Sequence, residues 1–205
     1  QTLTGTSFTD TISLEDNFYY MITAFDYTGN ESDGSQVATT FRSVELQIPQ
    51  GWSGISTFLD PVDGNIENMF EPMVSNLILM ENQTGIYWPG ENINSLVDWD
   101  LLSGYVIKTS AESDLQLTSS REKFNTIQLT EGWNIMPVLS QFNVNVAELF
   151  IDADIEIVKE VAGWRVYWPD VSVNSLGTVN SRKAYFVKSN TDQTIIFPDL
   201  GTDGQ

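Results

Sequence analysis

The sequence predicts a mainly β protein, with sandwich-like strands and only short helices. Two tandem repeats of about 80 residues pack with pseudo-twofold symmetry, and a shorter segment precedes them. Three observations carry this. Two long segments align with each other almost without gaps. Within each, short β-branched and aromatic runs are cut by Gly, Pro, Asn and Asp. Apolar residues make up 41% of the chain and aromatics 12%, enough to fill a core and too much for a disordered chain.

The self-alignment runs at an offset of 80 to 81 residues. Leu46-Gln47-Ile48-Pro49-Gln50-Gly51-Trp52 matches Ile127-Gln128-Leu129-Thr130-Glu131-Gly132-Trp133, and Asn65-Ile66-Glu67-Asn68-Met69-Phe70 matches Asn145-Val146-Ala147-Glu148-Leu149-Phe150. Ile86-Tyr87-Trp88-Pro89 matches Val166-Tyr167-Trp168-Pro169, and Ile93-Asn94-Ser95-Leu96 matches Val173-Asn174-Ser175-Leu176. Further on, Gly104-Tyr105-Val106-Ile107-Lys108 matches Ala184-Tyr185-Phe186-Val187-Lys188. The first repeat takes residues 43–123, the second 124–200, and 201–205 form a tail.

Strands are expected near 44–48, 52–58, 76–82, 85–88, 104–109 and 115–118, with counterparts about 80 residues later. Each repeat gains one short helix. Asn65 and Asn145 are N-caps, Glu148 stands at the capping-box position, and Pro72 stops the first helix. Because one such unit has a modest core, the two repeats are expected to bury a shared apolar face.

Composition excludes several chemistries. The chain has neither histidine nor cysteine, which removes disulfides, imidazole or thiolate metal sites, histidine relays and cysteine nucleophiles. With 9 basic against 28 acidic residues it carries a net charge of −19, and acids outnumber bases in every part. A field of that sign repels nucleic acid and anionic bilayers, so neither is expected as a partner. The apolar run Met73 to Met80 is far short of the roughly 20 residues a membrane span needs, so no membrane insertion is expected. The start, Gln1-Thr2-Leu3-Thr4, lacks a methionine or a basic leader and reads as cut. No GxSxG, SxxK or phosphate-binding glycine loop occurs, and two acids for a glycosidase are always available among 28, so the chain reads as non-enzymatic.

Residues 1–42 break the repeat pattern. Ser7-Phe8-Thr9-Asp10-Thr11, Ile12 six residues before Phe18, the run from Phe18 to Asp26, and Gly29-Asn30-Glu31-Ser32 resemble the last three strands of a fibronectin type III domain. Phe18, Tyr20, Ile22 and Ala24 alternate as one buried strand face would, and Thr28-Gly29-Asn30 is a turn signal. One position departs from the family pattern: Phe18 stands where such domains carry their corner tyrosine. The resemblance implies an incomplete sandwich with an open edge, which packs against the first repeat or pairs with a second molecule, a free disordered tail being the third alternative. It also implies an extracellular or cell-surface bacterial setting, as a spacer beside neighbouring domains of a larger parent protein.

Six tryptophans are the main candidate binding residues. Trp52 and Trp133, equivalent in the two repeats, read as core or strand-packing residues. In the two Tyr-Trp-Pro segments, Tyr87, Trp88, Tyr167 and Trp168 read first as packing residues. Their second reading is a flat aromatic surface for a sugar ring, since the following proline holds each tryptophan extended. Trp99 and Trp164 have no counterpart and read as exposed, copy-specific contacts. Asp152, Asp154 and Glu156 alternate, so on a strand all three carboxylates share one face as a candidate calcium half-site; otherwise they form a solvated face, and no cofactor is needed. Asn82-Gln83-Thr84 and Asn30-Glu31-Ser32 fit the glycosylation sequon, a triplet common by chance.

The function expected is therefore a non-catalytic accessory module of a larger secreted or cell-surface bacterial protein. Carbohydrate binding through the aromatics, and a purely structural or protein-adhesion role, are the alternatives.

Overall fold

The computed structural model describes residues 19–35, 38–39, 42–119 and 124–198. Ser7 to Phe18 and the 201–205 tail lie outside the described residues. The chain divides into two units, 1–41 and 42–205.

In the first unit, β1 (Tyr19–Tyr20) pairs antiparallel with β2 (Ala38–Thr39). The expected turn is present: Gly29 takes φ +88°, its N–H donates to the Asp26 carbonyl at 3.1 Å, and Phe25 bridges Glu31. The Asp26 carboxylate accepts from the Thr28 hydroxyl at 2.7 Å and the Asn30 amide at 2.9 Å, and these bonds hold it well below the usual carboxylate range. The expected inward alternation does not appear: Ile22 is 75% exposed and Ala24 is exposed, as is Met21 on the opposite parity. Among the described residues this unit has only a two-stranded ribbon, and such a ribbon by itself has no second layer to hide one face against.

The second unit is the tandem repeat. Its first copy contains β3 (Arg42–Ile48), β4 (Gly51–Ile55), helix α1 (Ile66–Phe70), β5 (Leu77–Glu81), β6 (Ile86–Trp88), β7 (Ile93–Asn94), β8 (Tyr105–Thr109) and β9 (Ser113–Ser119). Strand β3 pairs with β9, and the other five form an antiparallel sheet in the order β4-β8-β5-β6-β7. The second copy contains β10 (Thr126–Leu129), β11 (Gly132–Pro137), β12 (Val144–Asn145), α2 (Val146–Leu149), β13 (Ile155–Glu160), β14 (Val166–Trp168), β15 (Val173–Asn174), β16 (Thr178–Val179), β17 (Ala184–Ser189) and β18 (Gln193–Ile196). It repeats the plan, with β10 on β18 and the order β11-β17-β13-β14-β15. Even the irregularity is copied: β5 bulges between Leu77 and Leu79 where β13 bulges between Ile155 and Ile157.

The matched motifs have structural reasons. Asn65 Oδ1 accepts from the Asn68 N–H, and Asn145 Oδ1 from the Ala147 N–H, so both helices start where the caps were read. Pro72 does not stop the chain's coiling; it sits inside a 3-10 turn, Glu71–Met73, where it needs no N–H partner. Ser95 and Ser175 bond the Ile86 and Val166 N–H groups at 2.9 Å. Tyr105 and Tyr185 accept the N–H of Asp100 at 2.6 Å and of Asn180 at 2.9 Å, each reaching five residues back.

The packing differs from expectation. Each copy owns a separate core, one around Phe70, Met80, Trp99, Tyr105 and Ile107, the other around Met136, Phe150, Val158, Tyr185 and Val187. Among the described residues only Leu101 crosses from the first copy into the second core. In place of a shared apolar face there is a tight polar seam. Strand β4 lies against β17 as β11 lies against β8, the exchange that a pseudo-twofold requires. Backbone bonds cross it, Ser56 N–H to Arg182 carbonyl at 3.1 Å and Gly104 N–H to Ile135 carbonyl at 3.0 Å. Ser56 Oγ donates to the Lys183 carbonyl at 2.7 Å and accepts from the Val138 N–H at 3.1 Å. Strands approach this closely because Gly54 and Gly104 carry no side chain: a Cβ on Gly54 would fall 2.3 Å from the Ala184 oxygen.

Candidate functional site

Alternation along the five-stranded sheets decides which residues face water. Ile107, Met80 and Tyr87 are in register and point into the first core, so their neighbours turn outward. The outward row crosses the sheet as Trp52, Lys108, Leu79, Trp88 and Ile93. The second copy repeats it as Trp133, Lys188, Ile157, Trp168 and Val173. Each row thus has a lysine near its middle and an indole on either side, the two indoles three strands apart, about 14 Å.

Trp88 and Trp168 are each 37% exposed, Trp52 is 43% and Trp133 is 52%. The reading of Trp52 and Trp133 as core or strand-packing residues is therefore corrected as to the core: constancy between copies reflects an equivalent place on the outer face, packed against strand neighbours. In the first row the Lys108 ammonium lies 5.1 Å from the Trp52 ring. In the second, Lys188 pairs with Glu156, and Trp133 packs edge-on to Phe186 at 6.3 Å.

The proline after each tryptophan ends its strand without holding the tryptophan fully extended: Trp88 (φ −127°, ψ 85°) and Trp168 (φ −132°, ψ 88°) fall short of the extended ψ range, and Pro89 and Pro169 then open 3-10 turns. Their tyrosines do not join them on the surface. Tyr87 is 5% exposed in the first core, and Tyr167 packs half-buried against the second.

Trp99 and Trp164 part company. Trp99 is 7% exposed: it stacks on Tyr105 at 4.1 Å and donates from Nε1 to Thr57 Oγ1 at 3.0 Å, so it is a core residue and not a surface contact. Its place in the second copy is taken by the buried Val179. Trp164, at 96% exposed, stands free at the β13–β14 hairpin. That hairpin closes Glu160 N–H onto the Arg165 carbonyl, where the first copy closes Asn82 N–H onto Gly85, so the second turn is two residues longer and carries the extra indole.

The acidic trio does not line a strand. Strand β13 begins only at Ile155, with Asp152 in a preceding turn and Asp154 outside the sheet. The Asp154 carbonyl accepts from the Asn190 N–H at 3.0 Å and its Oδ1 from the Asn190 amide at 2.7 Å, a turn anchor that Asn76 provides for Ser110 in the first copy. Glu156 is paired with Lys188. Among the described residues no three acidic side chains are grouped as a metal site. Among them, too, no helix is long and apolar enough to cross a membrane.

The rows themselves were not read from the sequence as rows. The signal was present, a tryptophan and a lysine recurring in both copies, but only strand order places β4 and β8 beside β5 and β6. The chain matches no family model, no curated protein and no solved structure.

Proposed function

We propose that this chain is a non-catalytic accessory module of a larger secreted or cell-surface bacterial protein, and that it binds carbohydrate through its outward tryptophan rows. The observation that carries this is the duplicated placement of half-exposed Trp88 and Trp168 on flat sheet faces, each beside an aliphatic strand neighbour. An indole held part-open to water stacks on the C–H face of a sugar ring, and two copies of one row give a bivalent surface for a polymer. Exposed Trp164 adds a third ring on the longer hairpin. The secreted setting rests on the fibronectin type III-like segment.

The test is a glycan array followed by titration of any hit. Trp88→Ala or Trp168→Ala should weaken a polysaccharide about 2- to 10-fold each, the worth of one aromatic contact, and the double variant more than either. Silence across the array, together with self-association in sedimentation, would replace this reading with a protein-adhesion module.

A further inference from the structure

The seam between the copies is not equally closed on its two sides. On one side Gln83, from the short β5–β6 turn, laces onto the free edge of β11: its amide donates to the Trp133 carbonyl at 3.0 Å and accepts from the Ile135 N–H at 3.3 Å. On the other side the longer β13–β14 hairpin supplies Val161 where Gln83 would come, and a cavity of about 220 Å³ opens against the edge of β4. Trp52 and Gly54, whose peptide groups correspond to those Gln83 holds on β11, line it.

The cavity's charges do not balance. Glu160, Arg165 and Lys183 line it. The Arg165 guanidinium is already engaged with Glu160, Nε to Oε1 at 2.8 Å and Nη2 to the same oxygen. Lys183 has only a long bond to the Gln47 carbonyl, 3.4 Å, and among the described residues no carboxylate pairs with it. Burial pushes its ammonium below the usual lysine range. One positive charge is left uncompensated in a chain of net −19, and at the place equivalent to Lys183 the first copy has the neutral Ser103. Ser53 also lines the cavity, but its hydroxyl, without a hydrogen-bond partner, is sealed from solvent and does not open into it.

We infer that this cavity is a binding site for one acidic sugar unit, its carboxylate on Lys183, its hydroxyls on the peptide edge of β4, and its ring against Trp52. Each part answers an unmet group: a single anion neutralises Lys183, alternating donors and acceptors take the place Gln83 has on the other side, and the indole offers an apolar wall. The site is separate from the Trp88 and Trp168 ends of the rows and does not depend on them.

Calorimetric titration with galacturonate, galactose and acetate decides it. Galacturonate alone should bind. Lys183→Met should weaken it about tenfold or more, the worth of a charged hydrogen bond, and Lys183→Arg should restore it. The Lys183 carbonyl, which carries the seam bond to Ser56, is kept in both, and a melting curve checks that each is folded. Equal binding of galactose would overturn the role of charge, and equal binding of acetate the role of the ring. No binding by any probe would overturn the site. The Trp88→Ala/Trp168→Ala variant should bind galacturonate like the parent, so that failure of the row reading and failure of this one give different results.

Discussion

Substituting Gly54 by alanine tests the seam that joins the two copies. The residue's φ is not in the left-handed region, so alanine is locally permitted and the cost is steric. The new Cβ would lie 2.3 Å from the Ala184 oxygen, 2.7 Å from Val161 Cγ2 and 2.9 Å from the Ala184 carbonyl carbon. Ordinary contact begins at 3.4 Å, so β17 must retreat from β4 by about 1 Å. Overpacking of that kind costs about 1–3 kcal/mol, and the retreat stretches the Ser56–Arg182 and Ser56–Lys183 bonds at about 1 kcal/mol each. A total of about 3–5 kcal/mol corresponds to a fall in Tm of roughly 10–15 °C for a unit of this size. Because the two cores are separate, the Gly54→Ala/Gly104→Ala variant should also melt in two steps, where the parent melts in one. Scanning calorimetry reads both effects, with Gly64→Ala as the control, since nothing lies within 4 Å of its Cβ. A Gly54→Ala protein within about 0.5 kcal/mol of the parent, together with a Gly54→Ala/Gly104→Ala protein still melting in one step, would refute a seam held by close backbone approach.

Three further outcomes are expected. Trp99→Ala should lose about 3–5 kcal/mol in urea unfolding, as a buried stacked indole does, whereas exposed Trp164→Ala should stay within about 0.5 kcal/mol. Val97→Gly should stabilise by about 0.5–1 kcal/mol, because Val97 is a β-branched residue held at φ +60° where the second copy has Gly177 at φ +71°. Burial pushes the Tyr105 phenol up to about 12 from its ordinary 10.0, so its contribution is fully present below pH 10 and is lost as pH rises from 10 to 12. Urea midpoints taken across that window should fall, and less steeply in Tyr105→Phe, which has no proton to lose.

Much of the architecture was legible before any coordinates. Strand positions followed from period-two alternation, as in Val44, Leu46 and Ile48, whose side chains are all buried while Glu45 and Gln47 are exposed. Both helices began at the asparagines because an Asn side chain can bond the free N–H groups of a first turn wherever it stands. The site was less legible. The two-residue extension that carries Trp164 was masked because β13 starts early by the same two residues, so the Tyr-Trp-Pro motifs still align at an offset of 80. Trp99 looked exposed because no tryptophan answers it, yet the smaller Val179 stands buried at the equivalent place in a core packed around different neighbours.

The sequence by itself determined the doubling of the unit, the strands, the caps and the sign of the electrostatic field, since each depends on residues near one another in the chain or on composition alone. Tertiary structure decided which face of each strand meets water, that two cores and not one form, and that Lys183 is left with a cavity and no counter-charge. Those outcomes depend on which strand lies beside which, and on the fit of glycine against backbone across the seam, neither of which is written in local pattern.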